Sequence, residues 1–267
     1  MRASLRIVNT GAEHKGTSIV TDVLGWRRKF GVLGPSTNTI VQPDFDDMRP
    51  IGVTNHYSRI FTPNANAVSN ESFRAGTDII AANVLDAVRS VMTCAPDYLV
   101  MGMSAVTFID GAKGADTFTR QVEDASGIKI SIGSHSCTAA MRRYRNVRRM
   151  AILSPYWPVM NTEAKRYFTD MGFEVVRDIC LQCRSWTQIA EQTTETLREA
   201  LHTLDGDDVD AIVQIGTNLS MVRLAAAAEM WLSKPVIAIN TATYWHALRA
   251  NGIEDRMEGF GRLLAEF

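Results

Sequence analysis

A chain of 267 residues, with 46% hydrophobic and 21% charged residues, is long enough for one large globular domain or two smaller ones. The net charge of −1 lacks the basic excess of nucleic-acid-binding proteins, so we expect no nucleic-acid partner. No apolar run reaches the roughly 18 residues of a membrane span, and the N-terminus lacks the apolar core of a signal peptide. We therefore expect a cytoplasmic protein with no membrane partner.

The four cysteines are Cys94, Cys137, Cys180 and Cys183. In a cytosolic protein they are expected to be free thiols. Cys180 and Cys183 form a CxxC pair, but no second pair or histidine cluster completes a zinc site. The pair is therefore interpreted as the end of a strand and the loop beyond it, and no metal is expected.

Strands and helices are predicted to alternate after an N-terminal extension at residues 1–25, whose periodicity is weak. The predicted strands are Lys29–Leu33, Ile51–Phe61, Tyr98–Met101, Ile128–Ile132, Arg149–Ser154, Phe173–Val176, Ala211–Ile215 and Pro235–Ile239. The predicted helices include Phe73–Met92, Ala115–Ala125, Thr162–Met171, Ser220–Trp231 and Trp245–Ala250.

This alternation predicts an α/β fold with doubly wound parallel sheets. The pattern starts again near Ile128, which favours two αβα lobes facing each other over one wide sheet. The predicted division is lobe 1 at 26–116 plus 230–267, and lobe 2 at 117–229.

The stretch Ala211–Ser220 contains a buried strand that runs through Gly216, Thr217 and Asn218 into a helix. Such a turn aims unpaired backbone N–H groups at one point, where the helix dipole also favours an anion. The alternative is an ordinary strand–helix connection with a threonine or asparagine cap.

Two earlier turns also follow strands, at the edge of an open α/β sheet where ligands bind. In Gly34–Thr39, Pro35 and Ser36 shape the turn, and Asn38 offers an amide suited either to a substrate carboxylate or to an Asx turn. In the next turn, Gly102 leaves room, Met103 follows it, and Ser104 offers a hydroxyl to an oxyanion.

A helix is predicted to begin at Ser134-His135-Ser136-Cys137. A thiol at a helix N-terminus has a lowered pKa, and a histidine beside it exchanges protons near neutral pH. His135 and Cys137 are therefore candidate catalytic residues. The alternative is a serine cap followed by a buried cysteine.

Four segments, in this order, resemble the aspartate/glutamate racemase superfamily, closest to its maleate cis-trans isomerase and arylmalonate decarboxylase branch: GVLGPSTNT, LSPYWPVMN, VDAIVQIGTNL and KPVIAINTATYWHALRANGI. The resemblance extends from about Trp26 to about Leu264. It implies two Rossmann-like lobes related by a pseudo-twofold axis, an active site in the cleft between them, and chemistry that needs no cofactor.

The resemblance also implies roles for individual residues. Asn38 would bind a substrate carboxylate, while Tyr156 and Ser104 would donate hydrogen bonds to carboxylate or enolate oxygens. The backbone amides of Gly216 and Thr217 would stabilise developing negative charge. The sequence departs from the family at its two cysteine positions, which fall at Gly216 and at Gly102 or Met103.

Three functions remain open from the sequence. The first is a decarboxylase-type lyase that acts on a small carboxylic acid through a stabilised enolate or enediolate, with His135 and Cys137 as proton donors. The second is an isomerase or racemase with relocated proton donors, and the third is a non-catalytic carboxylate-binding protein. Trp157 and Trp186 are candidates for the pocket wall, and the alanine-rich Ala225–Ala228 is compatible with a homo-oligomer.

Overall fold

The computed structural model describes residues 22–267, so residues 1–21 of the predicted extension lie outside it. Its eight strands form two four-stranded sheets in which every pair of neighbouring strands is parallel. The first sheet, in the order β2-β1-β3-β4, contains β1 (Arg28–Pro35), β2 (Val53–Ile60), β3 (Tyr98–Met101) and β4 (Ile130–Ser131). The second, in the order β6-β5-β7-β8, contains β5 (Arg149–Ser154), β6 (Glu174–Cys180), β7 (Ala211–Gln214) and β8 (Val236–Ala238).

Helices connect the strands and cover the sheets. They are α1 (Val41–Asp47), α2 (Asn70–Ala82), α3 (Val84–Met92), α4 (Gly111–Ser126), α5 (Gly133–Met141), α6 (Pro158–Asp170), α7 (Thr194–Leu204), α8 (Val222–Leu232), α9 (Ile239–Ala250) and α10 (Arg262–Glu266). Within residues 22–267, no helix combines the length and the apolar character needed to cross a membrane.

The same strand order occurs in both sheets, which confirms the expected α/β fold with two Rossmann-like lobes. Strands β3 and β7 are buried along their whole length. Their short apolar runs are typical of parallel strands with both faces covered. We call the first sheet with its helices the first lobe, and the second sheet with its helices the second lobe.

The sheets divide the chain at a different place from the predicted lobe boundaries. Strand β4 pairs with β3, so the first sheet continues to Ser131 and the second begins at Arg149. Strand β8 pairs with β7 in the second sheet, whereas the predicted division places residues 230–267, which contain β8, in lobe 1. The helix after it, α9, then packs against α1, α5, β3 and β4 of the first lobe. An apolar run shows that a strand is buried but does not show which sheet it joins.

The predicted helix Phe73–Met92 is two helices, α2 and α3, separated at Asn83. The Asn83 side-chain amide donates to the carbonyl oxygens of Phe61, at 3.0 Å, and Ile79, at 3.1 Å. Asparagine competes in this way with backbone hydrogen bonding, which explains the break inside a continuous apolar pattern.

Candidate active site

The turns that follow β1, β3, β5 and β7 meet between the two lobes around a cavity of about 40 Å³. Eight predicted site residues line it: Pro35, Asn38, Met103, Ser104, Tyr156, Gly216, Thr217 and Asn218. Thr37, Ile80, Ala105, Trp186 and Ile189 complete the lining. Both sheets therefore direct the ends of their central strands at one point, as expected for ligand sites in open α/β sheets.

Ser104 and Tyr156 form the polar centre of the cavity. The Ser104 Oγ lies 2.6 Å from the Tyr156 hydroxyl oxygen and accepts a hydrogen bond from the backbone N–H of Gly216, at 3.1 Å. Burial raises the pKa of the Tyr156 hydroxyl. Tyr156 therefore keeps its proton at neutral pH and serves as a hydrogen-bond donor.

Asn38 and Thr217 join the two lobes beside this centre. The Asn38 side-chain amide donates to Thr217 Oγ1 at 3.0 Å, and Thr217 Oγ1 donates to the carbonyl oxygen of Gly102 at 2.9 Å. The Asn38 Oδ1 accepts from the backbone N–H groups of Ile40 and Val41 at the start of α1. Asn38 therefore forms the Asx turn that was one of its two predicted roles, while its side chain also lines the cavity.

Several backbone N–H groups around the cavity are available to an anion. Those of Thr37, Ser104, Thr217 and Asn218 donate to no acceptor within residues 22–267. Neighbouring backbone N–H groups in turns form concave sites that bind anions. The cavity therefore offers neutral donors from both lobes to a carboxylate.

The backbone of Gly216, the position that the sequence resemblance pairs with a family cysteine, requires glycine. Its φ is +99°, and a Cβ built there would lie 2.4 Å from the Cδ of Pro155. A side chain at this position would meet both the left-handed backbone penalty and a steric clash.

The structure does not bring His135 and Cys137 into the cavity lining. Helix α5 begins at Gly133, as predicted, but Cys137 is fully buried and burial raises the pKa of its thiol instead of lowering it. His135 lies over α4, with its Nε2 at 3.2 Å from Asp116 Oδ1, and burial lowers its pKa. A residue's position at a helix start does not fix the direction in which its side chain points.

Ser36, Gly102 and Trp157 support the site without lining it. Ser36 Oγ accepts the backbone N–H of Thr62 at 2.9 Å, and Gly102 provides the carbonyl oxygen bound by Thr217. The Trp157 indole N–H donates to the Cys183 carbonyl oxygen at 3.2 Å. Trp186, the other aromatic residue considered from the sequence, does line the cavity.

The sequence reasoning missed Thr37, Ile80, Ala105 and Ile189. Thr37 and Ala105 lie inside or beside turns that were identified, so their positions were readable. The sequence predicts Ile80 and Ile189 only for the packing faces of helices. In the structure Ile80 lies in α2, whereas Ile189 lies in the loop before α7, which begins at Thr194. Within residues 22–267, no group of three His, Cys, Asp or Glu side chains could hold a metal ion.

The arylmalonate decarboxylase family matches this chain over residues 55–264. Maleate isomerase of Alcaligenes faecalis is 22% identical over 249 residues, covering 89% of this chain and 96% of that protein. Maleate isomerase of Pseudomonas putida is 24% identical over 246 residues, covering 89% and 97%.

Solved structures of these enzymes share the fold. A cysteine-to-serine mutant of Nocardia farcinica maleate cis-trans isomerase, with a covalently bound succinylcysteine intermediate, superposes with a TM-score of 0.80 at 21% identity, covering 90% of this chain and 99% of that chain. A liganded arylmalonate decarboxylase mutant superposes with a TM-score of 0.76 at 19% identity, covering 90% and 100%. Because the family match spans most of its length, the chain belongs to the arylmalonate decarboxylase family.

Proposed function

We propose that this protein is a cofactor-independent decarboxylase of a small malonate-type dicarboxylic acid, acting through a stabilised enediolate. One observation carries the proposal: the residues that line the cavity supply neutral hydrogen-bond donors from both lobes. No thiol, carboxylate, imidazole or amine side chain is found among these lining residues in the described part of the chain.

This donor set favours decarboxylation over isomerisation or racemisation. Thiol addition needs a nucleophile, and racemisation needs acid–base groups on two faces of the substrate. Decarboxylation needs a carboxylate site, stabilisation of one developing charge, and one proton donor. Gly216, and either Gly102 or Met103, are the residues that the sequence resemblance pairs with the family's two cysteines, and they supply no thiol.

In the proposed reaction, the bond between the α-carbon and one carboxylate breaks and carbon dioxide leaves. The electron pair stays on the α-carbon and spreads over the oxygens of the remaining carboxylate. The N–H groups of Ser104 and Thr217 and the Ser104 hydroxyl donate to these oxygens. Such donors bind the charge-rich transition state more strongly than the substrate, which lowers the barrier.

Tyr156 is the proposed proton donor to the α-carbon. Because burial raises its pKa, the hydroxyl keeps its proton until the strongly basic enediolate forms beside it. The tyrosinate then takes a proton from water. The apolar walls at Ile80, Trp186 and Ile189 limit the access of solvent to the intermediate.

The proposal is tested by proton NMR of the protein with malonate and substituted malonates. Tyr156→Phe and Ser104→Ala are each expected to lower kcat by about a hundredfold, because each removes a donor that acts in the transition state. His135→Asn, at a side chain outside the cavity lining, is the matched control and is expected to retain the wild-type rate.

Other outcomes would redirect the proposal. If His135→Asn loses activity and Tyr156→Phe retains it, the proton donor is His135 of α5 and not Tyr156. Isomerised product without loss of carbon dioxide would establish the isomerase alternative. Binding of malonates without turnover would identify a carboxylate-binding protein.

A further inference from the structure

Trp186 is the largest side chain that lines the cavity, and it lies between the two lobes. It comes from the loop after β6 of the second lobe, but its ring packs against α2 of the first lobe. The ring centroids of Phe73 and Trp186 are 4.8 Å apart, and Phe73 also contacts the Tyr156 ring at 5.4 Å. The indole is therefore held on one side by α2, while another side borders the cavity.

Gly76 of α2 makes the closest approach to the indole. A Cβ built at Gly76 would lie 2.7 Å from Trp186 Cζ2, closer than real Cβ contacts. Gly76 lies inside α2 and has no positive φ, so its backbone conformation does not require glycine. Because glycine inside a helix destabilises it relative to alanine, the indole contact is the physical reason for glycine here.

The backbone of Trp186 is also fixed. Its carbonyl oxygen accepts the side-chain amide of Asn218 at 2.9 Å. On the preceding residues, the Arg184 carbonyl oxygen accepts the Ala67 N–H at 2.8 Å, and Ser185 forms a β-bridge with Asn66. Because the backbone is held, a side chain added at Gly76 has to displace the indole itself, and one side of the indole borders the cavity.

We infer that Trp186 limits the size of the substrate's α-substituent, and that Gly76 is a positioning residue that sets how far the indole enters the cavity. The inference rests on the proposed function and narrows its substrate class. Because the indole forms part of the cavity wall, a malonate that carries hydrogen or a methyl-sized group leaves it in place, whereas an aryl ring has to displace it.

The contact between Gly76 and Trp186 is tested first without any ligand. The protein has five tryptophans, so the fluorescence difference between it and Trp186→Phe isolates the emission of Trp186. The same difference is measured between Gly76→Ala and the double variant Gly76→Ala, Trp186→Phe. We expect the Trp186 emission obtained in this way to be shifted from its wild-type wavelength. Ile79→Ala, on the exposed face of the same helix, is the matched control and is expected to leave it unchanged. An unshifted emission in Gly76→Ala would overturn the positioning role.

The size limit is tested by calorimetric binding of malonate, methylmalonate and phenylmalonate. The wild-type protein is expected to bind methylmalonate tighter than phenylmalonate by about tenfold or more, and Trp186→Ala or Trp186→Leu to remove that preference. Gly76→Ala is expected to weaken methylmalonate binding when Trp186 is present and to have no effect in the Trp186→Ala background.

The outcomes separate this inference from the proposed function. If the protein binds phenylmalonate as tightly as methylmalonate, the size limit is wrong and the proposed function stands. If Gly76→Ala weakens binding equally with and without the indole, Gly76 acts by another route and its positioning role is wrong. If no variant binds any malonate, both the proposed function and the size limit are wrong. The fluorescence measurement then still decides whether Gly76 positions the indole.

Discussion

At the residue scale, the backbone of Gly216 shapes the site. Gly216 combines a φ of +99° with an approach of 2.4 Å between its built Cβ and Pro155 Cδ. Its backbone N–H is already used, because it donates to Ser104 Oγ. The local backbone and Pro155 therefore leave no room for a thiol side chain at this position.

We expect Gly216→Cys to destabilise the protein by about 2–4 kcal/mol and to create no isomerase or racemase activity. Gly127→Cys is the matched control, since Gly127 has a φ of +73° but a Cβ there would meet nothing within 4 Å. Its cost is expected to be about 1–2 kcal/mol, from the left-handed backbone alone. Urea unfolding of both variants measures the difference, and equal losses of stability would show that Pro155 yields without cost.

The turn residues of the site were predictable because turn chemistry is local. Pro35, Asn38, Gly102 and Gly216 follow apolar runs, and such residues end strands for steric reasons that the sequence carries. The direction of a side chain on a helix depends on packing, which is not local. For that reason His135 and Cys137 were placed at the correct helix start but on the wrong side of it.

At the element scale, α1 contains a half-buried carboxylate beside the site. Asp44 Oδ2 accepts the side-chain amide of Asn240 at 2.8 Å, and the same amide donates to the Thr217 carbonyl oxygen at 2.9 Å. Burial, with a smaller contribution from Asp47, raises the pKa of Asp44 to about 6. Helix α1 therefore supports the Thr217 turn through a group that is unfavourable when charged.

The pH dependence of stability follows from that shift. The folded pKa of Asp44, about 6, is above its ordinary value of 3.8, so the native state binds more protons between these values and loses stability as pH rises through them. We expect Asp44→Asn to be more stable than wild type by about 2 kcal/mol at pH 7 and equally stable near pH 4. Urea unfolding across this range measures the gap, and a gap that does not change with pH would contradict the assignment.

Element types were predictable where apolar periodicity was strong, and element ends were less so. All eight predicted strands are present, but α6 begins at Pro158 instead of Thr162, because proline suits the first turn of a helix. Helix α9 begins at Ile239, directly after β8, instead of at Trp245. The polar residues that follow Ile239 are typical of a loop, which explains the late predicted start. The break at Asn83 depends on two carbonyl oxygens, one of them just beyond the end of β2, so no local pattern indicates it.

At the scale of the whole molecule, loops from the two lobes meet next to Trp186. The Asn64 side chain in the first lobe donates to Thr187 Oγ1 at 3.1 Å, and the Thr187 N–H donates to Asn64 Oδ1 at 3.4 Å. Next to them lies the hydrogen bond from the Ala67 N–H to the Arg184 carbonyl oxygen. The strand order that produces this meeting was not predictable, since neither apolar runs nor turns specify which strands become neighbours.

We expect Asn64→Ala to speed amide exchange at Ala67 by about tenfold while changing global stability by less than about 1 kcal/mol, because only exposed hydrogen bonds are lost. Hydrogen–deuterium exchange measures the first effect and thermal unfolding the second. Thr203→Ala, which removes an exposed hydroxyl bonded within α7, is the control. Unchanged exchange at Ala67 would mean that the Asn66–Ser185 bridge holds the loops without Asn64.

The polar groups around the cavity already bond to each other across the lobes: Asn38 to Thr217, Tyr156 to Ser104, and the Thr39 N–H to Asn218. A bound carboxylate that engages these side chains must therefore exchange hydrogen bonds within the protein for new ones, whereas the backbone N–H groups of Thr37, Ser104, Thr217 and Asn218 have no acceptor to give up within residues 22–267. Once negative charge gathers on the reacting oxygens, the exchange becomes strongly favourable, since hydrogen bonds to charged acceptors are the stronger ones. In the proposed reaction, the groups that bond across the lobes therefore bind the transition state more strongly than the substrate.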